Sequence, residues 1–303
     1  MNTPRTIREY LDQLRGALAG ADPALVQDAL YDAEDHLRSE LAENPAWSEA
    51  EMLAKVANSY GAPDEVAAIY VDKELLVQQA LRSPRPPAHR GPLGRFFGIA
   101  ADPRAYAGLI YMLLSLATGV FYFTVAVTGV SLSIGLSILI IGVVVPVLFF
   151  GIVRVIALVE GRIIEVLLGE RMPRRPPYTE RDLPLWERIK AMFTDPRSWS
   201  SLLYMVLMLP LGVAWFTIAV TGISLSVALV AAPVAIVLAE FGVIDGGIRY
   251  GGDSVVPAVI AIPLSLLVAV VLPFAVLHIA RGVGKLQAAI AKSLLVKSAS
   301  HVG

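Results

Sequence analysis

"DPRSWSSLLYMVLMLPLGVAWFTIAVTGISLS", residues 195–226, restates "DPRAYAGLIYMLLSLATGVFYFTVAVTGVSLS", residues 102–133, with 19 identities in 32 positions at an offset of 93. Each copy opens on Asp-Pro-Arg. The Asp suits a helix N-cap, and Pro fits the first turn, where its missing N–H costs nothing. Arg104 and Arg197 then stand at headgroup level, with Tyr106 and Trp199 as interfacial aromatic anchors. An apolar run of about 20 residues follows, enough to cross the hydrocarbon of a bilayer. Thr128-Gly129 and Thr221-Gly222 read as tight turns on the far side, so each copy is expected to open a helical hairpin. Tyr122 and Trp215 occupy matched positions in the two copies. With Thr128 and Thr221 they are the candidate sensing or packing residues.

The rest of the chain fits this frame. Of 303 residues, 56% are hydrophobic and 17% charged, against about 25% charged in soluble domains. Residues 1–82 carry 15 acids and 7 bases, and the remainder 11 acids and 18 bases. An acidic head therefore precedes a basic, apolar body, and the expected fold is all-α: a small soluble bundle joined to a polytopic membrane domain. The apolar runs begin only after residue 104, so the head is expected to stay on the side where it is made. With no cysteine, disulfides and thiol chemistry are excluded.

In the head, Ile7, Leu11, Leu14 and Leu18 form one apolar stripe. Asp22-Pro23 opens a second helix, Ser48 and Glu51 have the spacing of a capping box, and Gly61 suits a helix stop before Pro63. "LYDAEDHL" is the most polar stretch. Its Glu34, Asp35 and His36 are the candidate partner-binding residues. A solvated helix face is the plainer reading, since one His beside carboxylates lacks the further ligands a metal would need.

Residues 83–101, rich in Pro and Arg, read as an extended linker. The first hairpin is expected to return through about 131–153. "RVIALVEGRIIEVLLGER" (154–171) and "ARGVGKLQAAIAKSLLVK" (280–297) then suit amphipathic helices lying in the interface. Aligned on Arg154 and Arg281, these two are offset by 127, so the second copy carries an insertion of about 34 residues. The expected organisation is head 1–82, linker 83–101, first membrane repeat 102–170, basic loop 171–194, second repeat 195–297 and tail 298–303. Residues 223–240 either form a re-entrant segment, giving four crossings, or a fifth span. Glu240 is the one carboxylate within those apolar stretches and is a candidate on that ground.

The head motifs "YLDQLRGAL", "DPALVQDALYDAEDHL" and "GAPDEVAAIY" resemble the HTH-associated α-helical signalling (HAAS) domain, at Asp32, Glu34, His36 and Leu37 and at Gly61, Pro63, Glu65, Val66 and Ala67. The resemblance implies a non-catalytic cytoplasmic signalling module that pairs with a PadR-like winged-helix regulator. The duplicated Asp-Pro-Arg and "FTVAVTGVSLS"/"FTIAVTGISLS" motifs, with the two amphipathic segments, resemble the membrane domain of prokaryotic sensor proteins. Those proteins often carry a histidine kinase; none follows here, so output is expected through the head or a partner.

No nucleotide-binding or metalloprotease motif occurs. The expectation is a non-enzymatic multi-pass protein of the inner (plasma) membrane with both termini cytoplasmic and no cofactor or metal. The expected partners are the bilayer, a PadR-like regulator or another signalling protein, and a second copy of the chain, with no direct nucleic-acid contact. A small-molecule channel, a transporter or a lipid-binding protein is the alternative. The head's acidic face, with Glu34 and Asp35, is expected to meet either a partner or the basic loop at Arg171, Arg174 and Arg175.

Overall fold

The computed structural model describes residues 3–81, 91–136, 144–175, 185–240 and 258–296, and these contain helices and no strand. The head is α1 (Ile7–Ala17), α2 (Pro23–Glu43), α3 (Glu49–Ser59) and α4 (Pro63–Leu81). Its core joins Ile7, Leu11, Leu14 and Leu18 to Leu30, Leu37, Met52, Val56 and Val66. The punctuation matches the sequence reading: Asp22 caps α2 through Ala24 N, and Ser48 and Glu51 form the capping box. Gly61, at φ 108°, makes a turn that a side chain would strain. Tyr10 donates its hydroxyl proton to the Gly61 carbonyl (3.0 Å), tying that turn to α1.

Residues 92–101 are not extended. Short α5 (Pro92–Phe97) and a 3-10 turn at Gly98–Ala101 lead into the first long helix. Phe96 stacks on His278, Phe97 meets Phe274 edge-on, and Ile99 is buried with Ala105 and Leu277. Burial of Ile99 and the ring contacts of Phe96 and Phe97 offset the cost of ordering a proline- and glycine-bearing segment. Of the basic loop expected over 171–194, Leu185–Thr194 is helix α8.

Among the described residues, four helices are long and apolar enough to cross a membrane: α6 (Pro103–Leu136), α7 (Val144–Leu168), α9 (Pro196–Glu240) and α10 (Ala258–Leu295). They differ from the expected hairpins in two ways. First, α6 and α9 run straight through Thr128-Gly129 and Thr221-Gly222. An open turn in hydrocarbon would strand backbone N–H and C=O groups, so continuing the helix is cheaper. Ser226 shows this locally by donating back to the Gly222 carbonyl (2.7 Å), one helical turn earlier. Residues 223–240 therefore continue α9, whose 45 residues span about 67 Å. Second, α7 and α10 do not break at Arg154 or Arg281, so the two amphipathic segments are the ends of spanning helices. On α7 the buried side carries Ile156, Glu160, Ile164, Glu165 and Leu168. Val159 and Val166 point outward. Exposed apolar side chains of this size along all four helices suit lipid rather than water.

The chain forms two compact units: residues 1–82, 124–206 and 288–303, and residues 83–123 with 207–287. In the second unit, α6 and α9 meet through small residues. A methyl group at Gly119 would run into the Met208 carbonyl oxygen, and one at Gly212 into that of Ser115. Positions 115 and 119 correspond to 208 and 212 at the offset of 93, so the contact is reciprocal. Close backbone approach over small residues is how apolar helices gain packing where lipid removes the hydrophobic drive. Ser115, fully buried, bonds to Met112 O (2.6 Å) and Gly212 O (3.3 Å).

Candidate functional site

The head meets the segment that follows α7. Gly169, at φ 72°, stops α7 in a left-handed turn. The chain then folds back so that Met172, 1% exposed, packs over Gly161. This presents Arg171, Arg174 and Arg175 to the acids of α2 and α4.

Arg171 is the centre, with only 8% of its side chain exposed. Its Nη2 donates to Asp28 Oδ2 at 2.9 Å and its Nε to Glu74 Oε2 at 3.1 Å. Its Nη1 donates to the Met172 carbonyl at 2.9 Å and lies 3.6 Å from Glu165 Oε1. The other oxygen of Asp28 accepts two backbone N–H groups, from Arg174 (2.7 Å) and Arg175 (2.8 Å). Asp28 therefore acts on the loop as a cap acts on a helix start, holding two amides with one oxygen. Glu165, on α7, accepts from Arg174 Nη2 and Arg162 Nη1, each at 2.7 Å.

Around this buried core lie more exposed links. Arg175 Nε pairs with Asp32 at 2.8 Å, and Lys292 on α10 with Asp22 at 2.6 Å. Gln27 bridges: its Nε2 donates to the Arg175 carbonyl (2.7 Å), and its Oε1 accepts from Arg197 Nη2 (2.8 Å). A cleft of about 430 Å³ beside the cluster, walled in part by Lys73, Val77 and Arg162, gives water access to its outer charges.

Burial pushes the Asp28 carboxyl above its ordinary value, against the lowering effect of the Arg174 and Arg175 amides and of Arg171. The hydrogen bond to Glu165 raises Arg174 further. Buried ion groups of this kind are a weak source of net stability, but removing one member leaves uncompensated charge. Such an arrangement holds firmly only while complete.

The expected head–loop contact thus forms, but through other acids. Glu34 is 1% exposed and is held by Arg38 on its own helix at 2.8 Å. His36 stacks on Tyr60 with ring centres 4.4 Å apart. Asp35 is exposed and stands outside the cluster. Asp28 and Glu74 carry no motif; only the tertiary fold brings them to one arginine. Their signal in the sequence is faint: Gln27 and Asp28 interrupt an otherwise apolar stripe.

The candidate anchors behave alike. Tyr106 OH donates to the Ala100 carbonyl (3.0 Å) and Trp199 Nε1 to that of Phe193 (2.8 Å), each six residues upstream, with both rings exposed. Arg197 turns instead to Gln27. Arg104 keeps its backbone N–H on Asp102. Tyr122 is buried, and Trp215 donates to Gln287 Oε1 at 3.1 Å. Thr128 and Thr221 face outward, so the four do not form one site. Glu240 ends α9, and its side chain lies outside the described ones. Glu160 on α7 is 1% exposed and accepts from Tyr204 OH at 2.7 Å. Among the described residues no group of three His, Asp or Glu side chains could hold a metal.

A family profile described as "Putative sensor" matches residues 111–295, and a HAAS profile matches residues 9–69. No curated protein and no solved structure matches the chain.

Proposed function

The chain belongs to the "Putative sensor" family, and from that premise we propose that it is a non-catalytic membrane transducer whose HAAS head is its output. The observation that carries this reading is the Arg171 cluster. It ties the head to the segment leaving α7 through buried charges that hold together only as a set. In the resting state the head is docked and Asp28 and Glu74 are covered. A stimulus in the bilayer or beyond it shifts α7, the loop loses its register on Asp28, and the head is released to a cytoplasmic partner. The HAAS match favours a PadR-like winged-helix regulator as that partner. The arginines that line the docking segment favour a cytoplasmic location for it and for both termini.

Two like copies account for the reciprocal contacts. Asp195 faces Arg154 (3.9 Å) and Asp102 faces Arg281 (3.0 Å), the same pair at offsets of 93 and 127. The test is binding of a PadR-like regulator to the full chain in nanodiscs, wild type against Arg171→Met. Tighter binding by the variant is expected; equal binding would remove docking from the mechanism.

A further inference from the structure

A second cleft lies where α7, the start of α9 and the end of α10 come together, with Gln27 of α2 at its rim. Its charged lining is Arg154, Arg197 and Asp195. Asp195 is largely occupied, since its Oδ1 accepts the Arg197 backbone N–H at 3.1 Å. Its link to Arg154 is loose, at 3.9 Å. Two cations against one anion leave the cleft one positive charge in excess, and the two guanidiniums repel each other. The start of the 45-residue α9 adds the positive end of its dipole.

The cleft also holds unused donors. Ser198 is 3% exposed and lines the wall, and its Oγ has no hydrogen-bond partner among the described residues. The same holds for Arg197 Nε, although Nη2 of that guanidinium is engaged by Gln27. Buried donors left without acceptors are costly and call for an acceptor-rich occupant. The cavity volume, about 40 Å³, holds roughly three waters by the usual requirement of each. That suits a phosphate group and excludes a whole lipid. Val153 and Leu158 supply an apolar wall beside it.

The other copy shows what the cleft is not. At the corresponding place Ala105 stands for Ser198, Gly108 for Ser201 and Ala280 for Val153. There the Ala280 carbonyl lies so close to Gly108 that a Cβ would meet it at 2.7 Å, Ala105 is fully buried, and Arg281 closes on Asp102 at 3.0 Å. With Ser and Val at these positions the helices cannot approach so far, and a polar cleft opens instead. We propose that the Arg154–Arg197–Ser198 cleft is a binding site for a phosphate-bearing anion, with Arg197 Nε and Ser198 Oγ donating to its oxygens and Arg154 balancing its charge. The site does not rest on the docked-head reading.

The full chain in a neutral detergent is titrated with inorganic phosphate, read by thermal unfolding. It is also mixed with phosphatidylglycerol or phosphatidylcholine micelles, read by retained lipid in native mass spectrometry. Stabilisation by phosphate identifies a soluble source, and selective retention of phosphatidylglycerol a headgroup; either supports the site. Arg197→Gln should weaken binding about ten- to hundredfold, as loss of a charge-assisted contact implies. Ser198→Ala, which copies the residue found in the other half and should fold, should weaken it several-fold. Lys285→Gln, which removes an exposed charge elsewhere, should not. Absence of both phosphate and phosphatidylglycerol binding, or equal loss in all three variants, overturns the proposal.

Discussion

Arg171→Met keeps most of the side-chain volume and removes the charge that Asp28, Glu74 and Glu165 share. With the head still docked, Asp28 would be left buried without its paired guanidinium. It could stay ionised, at the cost of about 3–5 kcal/mol typical of a broken buried pair. It could instead take up a proton. Its ordinary pKa is 3.8, so at neutral pH that costs about 4 kcal/mol at 1.36 kcal/mol per unit. The remaining links do not offset either cost. Arg175–Asp32, with side chains 53% and 32% exposed, contributes about 0.2–1 kcal/mol. The head should therefore leave the loop, with the docking equilibrium shifted by about two to three powers of ten. Hydrogen–deuterium exchange reads this directly, because the Arg174 and Arg175 amides donate to Asp28 when docked. Their protection should be lost in the variant while amides within α1 and α3 keep theirs. Unchanged protection at 174 and 175 would refute the account of Arg171 as the centre of the contact.

The pH dependence follows from Asp28. Its docked pKa is raised by burial, so the docked head binds that proton more readily than the free one. Its contribution to docking is full below 3.8 and is lost as pH rises through the raised value. Protection factors at 174–175 should thus hold or rise on acidification from neutrality towards about pH 5, and Asp28→Asn should flatten the profile; a steep loss over that range would contradict it. In the body, Gly119→Ala or Gly212→Ala places a methyl against a backbone carbonyl that has no rotamer to escape into. A loss of about 1–3 kcal/mol is expected for overpacking of this kind, seen as a lower unfolding midpoint in detergent. Gly151→Ala, with nothing within 4 Å, should be neutral or slightly stabilising.

Local chemistry determined much of this protein. The stripe of α1, the capping box of α3, the stop at Gly61 and the four apolar helices were all legible, because each depends on residues a few positions apart. The duplicated motif went further. It gives two offsets, 93 and 127, and the pairs Asp195–Arg154 and Asp102–Arg281 are related by them. Tertiary structure decided where helices do not end. Thr-Gly signals a turn in water, but in an apolar setting the backbone has no other partner and the helix continues through it. It also decided which acids matter. Glu34, Asp35 and His36 form the most polar run, yet Glu34 is spent on Arg38 and His36 on Tyr60. Asp28 and Glu74, 46 residues apart, become a site only because α2 and α4 pack side by side and a glycine turn at 169 brings Arg171 between them. No spacing rule links those three positions. Burial gives them their energetic weight, and burial is a property of the assembled fold.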